Sequence, residues 1–404
     1  MMTAKADVNP SQPPLHGLRV IELANDPAGE FTGRLLASLG AEVLKIEPTS
    51  GAPSRKVGPF YQGTVGPETS LNFWHYNANK KSLVVDVEAG QGAKRLDDLL
   101  ATADIFICTL QPKELKRLGL DLGALAKSRP KLIVLSVTAF GLDGPWADYR
   151  SSDLVALALG GPLNLSGYDD HSIPPIRPGG NQGYQTAASF ALVGALLALL
   201  DRQKTGAGQL ADVSMHEALA VNVELANPYW FYPRVNVQRQ TCRHAQPIPT
   251  QPGLFQCVDG KYIYYTLILA DQRAWKILVS WMDEKGMAAD LTDPVFNTLA
   301  GRQERFGDIQ GVIESFFLVQ SAEDAYRDGQ ERGLPIGILK APEDLFEDAH
   351  LKAREFFVDV KQADGTTVRY PGPLYRFSDF ESVPTQRAPR LGEHDNEEAE
   401  DDHR

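Results

Sequence analysis

The 404-residue chain predicts an α/β fold, a Rossmann-like large domain with a smaller α+β domain, on three observations. Apolar runs of strand length alternate with segments of helical spacing through the first third, the pattern of a parallel sheet covered by helices. Composition then shifts at an aromatic patch and the Pro-rich connection of Pro247, Pro249 and Pro252. Beyond it, LFQCV and KYIYYTL flank Asp259-Gly260, a strong hairpin signal that belongs to antiparallel structure. With 43% hydrophobic residues the chain has material for one large core or two.

In order, GLRVIEL (17–23) reads as a strand, AGEFTGRLLASLG (28–40) as a helix with a glycine stop, and AEVLKIE (41–47) as the next strand. SLVVDV (82–87), a helix through Leu100, DIFICTL (104–110) and KLIVLSVTAFG (131–141) continue the alternation. A long apolar helix covers 185–202, and 209–226 reads as a strand and another helix. These elements place the large domain at 1–227. The small domain is predicted at 228–330, with Trp275 and Trp281 of DQRAWKILVSWMDE (271–284) as core anchors. LPIGIL, from Leu334, and EDLFEDAHLKAREFF are taken as the return to the large domain over 331–392. Residues 393–404 carry seven acids against one Arg, half of the net charge of −12, and read as a disordered acidic tail.

That charge argues against general nucleic-acid binding. Cys108, Cys242 and Cys257 show no CxxC spacing, so metal and redox chemistry are not expected. No GxGxxG follows the first strand, and a nicotinamide cofactor is unsupported. No basic, apolar and small-residue leader opens the sequence, and the run Ala187 to Leu200 falls short of the roughly 18 to 20 residues of a membrane span. A cytoplasmic protein is the expectation.

The stretch from Gly179 to Met215, GGNQGYQTAASFALVGALLALLDRQKTGAGQLADVSM, resembles family III CoA-transferases, in which a Gly-Asp pair opens a long apolar helix ending in Arg, a basic residue and Thr-Gly-x-Gly-Gln. Arg202, Lys204, Thr205, Gly206, Gly208 and Gln209 keep that ending. LRVIEL, LLASLGAEVLKIEP, NANKKSLVVDV, SVTAFGLDGP, LPIGIL, EDAHLKAR and LGEHDNE extend the likeness, in the family's order, over most of the chain. The resemblance implies an interlocked-ring dimer with CoA bound at the large domain, and a CoA thioester as substrate rather than a permanently bound cofactor.

Counting back along the helix, the family's nucleophilic Asp falls on Tyr184, and the His of the racemase branch falls on Ser152. A carboxylate attacks a thioester to give a mixed anhydride, from which CoA thiolate can form an enzyme thioester. A phenol with an ordinary pKa near 10 is protonated at neutral pH and forms no such thioester. No catalytic residue is therefore assigned. Asp169, Asp170 and His171 precede the helix in a sequence typical of an exposed turn, while Asp153 has the position of a helix cap or brace. Arg55, Lys80 and Lys81 are candidates for the CoA phosphates. Tyr229, Trp230, Phe231 and Tyr232, beside Arg234, are expected either in a core between the lobes or around an aromatic acyl group. Two further departures bear on binding: the family's Asn-Phe-x-Pro-Gly stretch reads Thr109 to Lys113, and CRHAQPIPTQPG replaces a Gly-rich lid.

The resemblance implies a non-catalytic subunit whose homologous partner keeps the Asp, together moving CoA from succinyl-CoA to an aromatic dicarboxylic acid. Two alternatives stay open: a homodimeric transferase, hydrolase or isomerase using Asp170, Tyr184 or a partner acid, and a non-enzymatic CoA-binding scaffold.

Overall fold

The computed structural model describes residues 12–397, apart from 224 and 268. The chain divides into two compact units. In the first, β1 (Arg19–Leu23), α1 (Pro27–Ser38), β2 (Glu42–Glu47), α2 (Leu71–Asn77) and β3 (Lys81–Val84) build one half of a sheet. After α3 (Gly90–Ala101), the other half comes from β4 (Ile105–Cys108), α4 (Pro112–Leu118), α5 (Leu122–Ser128), β5 (Ile133–Thr138), α6 (Asp153–Leu159), α7 (Gln182–Thr205), β6 (Leu210–Ser214) and α8 (Met215–Val221). All six strands are parallel, in the order β3-β2-β1-β4-β5-β6. Burial on both faces explains why β4 (IFIC) and β5 (IVLSVT) are continuous runs without alternation. The order reverses between β1 and β4, and a crevice at the carboxyl ends of such strands is where open α/β sheets bind ligands.

The RQKTGAGQ ending of α7 has a structural cause. Gly206 closes the helix in the left-handed region, φ 76°, and its N–H returns to the Arg202 carbonyl. At Gly208 a side chain would stand 2.2 Å from the Leu132 carbonyl oxygen, so only glycine fits there. The Gln209 carbonyl then accepts from Val134 N and sets the β6 register. Arg202 ties the helix end to Asp104 (3.0 Å) and to the Lys131 carbonyl (2.9 Å). At 24 residues α7 is, by length and composition, long enough to span a membrane, which corrects the expectation drawn from its apolar run alone. Its packing against α1, α8, β5 and β6 makes it a core helix.

The second unit contains α9 (Ala226–Phe231), the strand pair β7 (Gln238–Gln240) and β8 (Arg243–Gln246), and an antiparallel sheet of β9 (Leu254–Gln256), β10 (Tyr262–Tyr265) and β11 (Ile336–Ile338). Helices α10 (Gln272–Glu284), α11 (Leu299–Glu304), α12 (Phe306–Leu318) and α13 (Ala322–Glu331) complete it. The Asp259-Gly260 hairpin forms as expected, with Gly260 at φ 75°, and Trp275 and Trp281 are buried in its core.

The division between units differs from the sequence-based one. Leu163–Arg177 belongs to the second unit, and the chain leaves that unit only after Asp348. The run LPIGIL does form a strand, but β11 pairs with β10 instead of returning at 331, because an edge strand's partner is set by tertiary packing. The segment assigned to the tail also begins in order. His394 N donates to the Ser82 carbonyl, His394 Nδ1 accepts from Ser82 N, and Asp395 Oδ1 accepts from Val84 N. Residues through 397 thus cover the open edge at β3, where unpaired strand groups would otherwise be exposed. Residues 398–404 lie outside the described residues.

Candidate active site

At the point of order reversal, β1 runs through Ala24 and Asn25 into Asp26, the N-cap of α1. Asn25 N donates to Thr109 Oγ1 (2.9 Å), linking the ends of β1 and β4. Asp26 is favoured here because its Oδ1 accepts from Ala28 N (3.0 Å) and Gly29 N (3.2 Å), groups that no helical carbonyl can satisfy. Its Oδ2 makes no hydrogen bond among the described residues. Burial, opposed by those two N–H groups and reinforced by Glu30, pushes its carboxyl up to about 7.

Tyr184 lies in the first turn of α7, which packs on α1, and its phenol is in electrostatic contact with Asp26. Burial, followed by the charges of Asp26 and Asp153, pushes the phenol up to about 12, so it is a neutral donor at physiological pH. Asp153 braces this helix start as expected: it is buried, and its Oδ1 accepts from Gly183 N (2.8 Å). Asn181 Nδ2 reaches the Tyr76 hydroxyl (3.2 Å) on the same side. Ser152 is the N-cap of α6, its Oγ accepting from Val155 N at 3.4 Å. As whole residues, Tyr184 and Asp26 are half-buried.

Linkage gives Asp26 a measurable signature. Its folded pKa exceeds the ordinary 3.8, so the cost of ionising it is absent at low pH, grows above about 4 and is complete above about 7. Asp26→Asn keeps an oxygen for the cap. Discounted for partial exposure and the lost attraction to the helix dipole, it should stabilise the chain by about 1 to 2 kcal/mol near pH 8. Little should change near pH 4. Urea midpoints at the two pH values check this; an equal change at both would rule out the ionisation.

The candidate phosphate ligands require correction. Arg55 is 1% exposed, bonded to Glu47 through Nε (2.7 Å) and Nη2 (2.8 Å) and to Glu68 through Nη1 (3.0 Å), with its guanidinium 3.7 Å from the Phe73 ring centroid. Lys80 is 5% exposed and donates to Glu22 (2.7 Å), Asn77 (2.9 Å) and the Glu30 carbonyl (2.6 Å). Neither presents its charge to solvent. Both join a buried network with Lys45, whose Nζ lies 2.9 Å from Glu30 and 3.1 Å from Glu22. Lys81 stays partly exposed but is paired with Glu42 (2.8 Å) and Glu397 (3.3 Å).

In the second unit, Asp170 Oδ1 accepts from Ser172 N and Oγ, which hold its carboxyl below the usual range, and Asp169 pairs with Arg243. His171 Nε2 lies 3.0 Å from the Arg239 carbonyl, so the segment is a braced turn. Trp230, Phe231 and Tyr232 are exposed, which does not match the first of their two expected placements, a core between the lobes, and leaves the second, around an acyl group, untested; Arg234 lies over the Trp230 ring. Thr109 to Lys113 holds the start of α4: Glu114 returns to Gln111 N, and Lys113 N donates to Asp148. Asp26 escaped the sequence reading because its neighbour Tyr184 lies on a distant helix; its one local signal is Asp-Pro at a helix start.

The chain is 32% identical, over 94% of its length and 92% of the relative's, to the subunit BbsE of succinyl-CoA:(R)-benzylsuccinate CoA-transferase from Thauera aromatica. It is 29% identical to succinyl-CoA–D-citramalate CoA-transferase of Chloroflexus aurantiacus, over 95% of this chain and 92% of that one. A CaiB/BaiF family protein from Brucella suis superposes with a TM-score of 0.82 at 25% identity, covering 97% of this chain and all of that one. Residues 15–395 match the sequence model of CoA-transferase family III, and the chain belongs to that family.

Proposed function

We propose that this chain is the non-catalytic member of a two-subunit family III CoA-transferase that draws CoA from succinyl-CoA, exchange running on an Asp of its homologous partner. The observation that carries the reading is Tyr184: the first turn of α7 holds a neutral phenol where the family resemblance puts the nucleophilic Asp. A phenol gives no route to an enzyme-bound CoA thioester. The relatives' names support the assembly: one is a subunit of a benzylsuccinate enzyme, and another, 28% identical, is the beta subunit of succinyl-CoA–L-malate CoA-transferase of Chloroflexus aurantiacus. Succinyl-CoA recurs in these names as CoA donor. The acceptor we assign is an aromatic dicarboxylic acid such as (R)-benzylsuccinate. CoA enters as a thioester substrate, with no resident cofactor, and an interlocked dimer in the cytoplasm is the form in which the protein works.

Expression alone and with the homologous subunit tests this directly. Transfer from succinyl-CoA to benzylsuccinate should be at least a hundredfold faster for the pair, well within the effect of about 10⁶ seen when an enzyme nucleophile is removed. Equal rates for the isolated chain and the pair would refute the subunit reading.

A further inference from the structure

We propose that the second unit carries a binding site for an uncharged base of the adenine type, held by the side-chain amide of Gln251. The exchange reaction does not call for such a site. A cavity of about 830 Å³ has all of its described lining residues in this unit. One wall is β8 and the loop after it, through Gly253; another is the end of β10 with Leu269; Gln303 of α11 and Phe306 of α12 form the third. Hydrogen bonds fix these walls. Buried Gln240 accepts through Oε1 from Thr250 N (2.6 Å) and Thr250 Oγ1 (3.0 Å), the Gly253 carbonyl accepts from Tyr265 N (2.7 Å), and the Leu269 carbonyl accepts from Arg302 Nε (2.8 Å).

Gln251 is the exceptional residue of the lining. It is 8% exposed, yet neither its Oε1 nor its Nε2 has a hydrogen-bond partner among the described residues. A buried amide with both ends open is costly, and a ligand that carries a donor and an acceptor side by side satisfies both at once. Adenine has that edge: its amine donates to Oε1 while N7 accepts from Nε2, the pairing that glutamine makes with this base in DNA. The other walls suit a flat, uncharged body. Tyr264 and Phe306 bring partly exposed aromatic rings, on which bases stack. None of the described lining residues is acidic, and the Arg243 guanidinium is already engaged: Nη2 pairs with Asp169, while Nε (3.2 Å) and Nη1 donate to the Thr241 and Thr250 carbonyls. The volume lies within the range of about 300 to 1,000 Å³ typical of small-molecule sites, enough for a base with its ribose. Such a base comes either as a free nucleoside or as the adenine end of CoA.

Isothermal titration of the full chain with adenosine tests the assignment. Adenosine should bind, and purine riboside, which lacks the amine, should bind at least about fivefold more weakly. Gln251→Met keeps the length of the side chain and removes both ends of the amide. It should weaken adenosine at least about fivefold and leave purine riboside within about twofold. Because the amide it removes is unpartnered, the variant should melt no lower than the parent. Excess CoA identifies the source: loss of the Gln251-dependent heat assigns the cavity to the adenine of CoA, and an unchanged heat assigns it to a separate nucleoside. Absence of adenosine binding at millimolar concentration, or equal affinity in a folded Gln251→Met, overturns the proposal. So does equal binding of adenosine and purine riboside. Failure here leaves the subunit reading untouched, because that reading is judged by transfer to an acceptor in the pair.

Discussion

Replacing Lys45 by Met is expected to destabilise the chain by about 3 to 5 kcal/mol, the range found when one partner of a buried ion pair is removed. Lys45 is fully buried on β2, with Glu22 of β1 and Glu30 of α1 both within salt-bridge distance, and its Nζ also donates to the Ala24 carbonyl. Burial alone would discharge the amine, but Glu30, Glu22 and Glu47 outweigh it and hold Lys45 above the ordinary lysine range. Lys80, with a second positive charge nearby, is instead pushed down to about 8 by burial. Glu30 Oε2 already lacks a hydrogen-bond partner in the described structure, so loss of the amine would leave the Glu30 carboxylate desolvated without a salt-bridge partner, beside a Glu22 that keeps only Lys80. The double variant Lys45→Met with Glu22→Gln should recover part of the loss. Urea denaturation of each variant checks this, and a change below about 1 kcal/mol for Lys45→Met would show the network to be energetically slack.

This network marks the limit of what the sequence discloses. The charges within RVIEL and EVLKIE visibly interrupt strands that are otherwise apolar, yet nothing local pairs Glu22 with Lys80 or Glu47 with Arg55. Those contacts depend on sheet order and on where α1 crosses it. Arg55 and Lys80 therefore read as surface cations, and only the folded chain shows their charges turned inward. Tyr184 was legible because the resemblance to family III CoA-transferases lies within one continuous segment, from the start of α7 to its glycine-bound ending. Asp26 was not, since its relation to Tyr184 arises from α1 packing on α7. The end of the second unit failed for a similar reason: LPIGIL has the pattern of a strand but carries no mark of the sheet that will receive it.

The face of α7 that remains uncovered provides the second large effect. An apolar helix of this length is normally buried all round, and one side of α7 does pack on β5, β6, α1 and α8. Phe190, Val193, Leu197 and Leu200 fall on the opposite stripe at spacings of three and four residues, with Leu196 beside them, and all five are exposed. A contiguous apolar strip on a single chain is a contact surface, and a homologous subunit with the same helix is the occupant that the proposed pairing requires. Leu197, 59% exposed, contributes nothing to the core of this chain, so Leu197→Glu should leave its folding intact. In the assembled pair the same substitution removes about 1.5 to 3 kcal/mol of apolar burial and adds an unpaired carboxylate. Association should weaken at least a hundredfold, about 2.7 kcal/mol, and transfer activity should fall with it at low protein concentration. Analytical ultracentrifugation of the co-expressed subunits gives the answer: an unchanged dissociation constant would place the partner on another surface and leave the apolar stripe of α7 without its occupant.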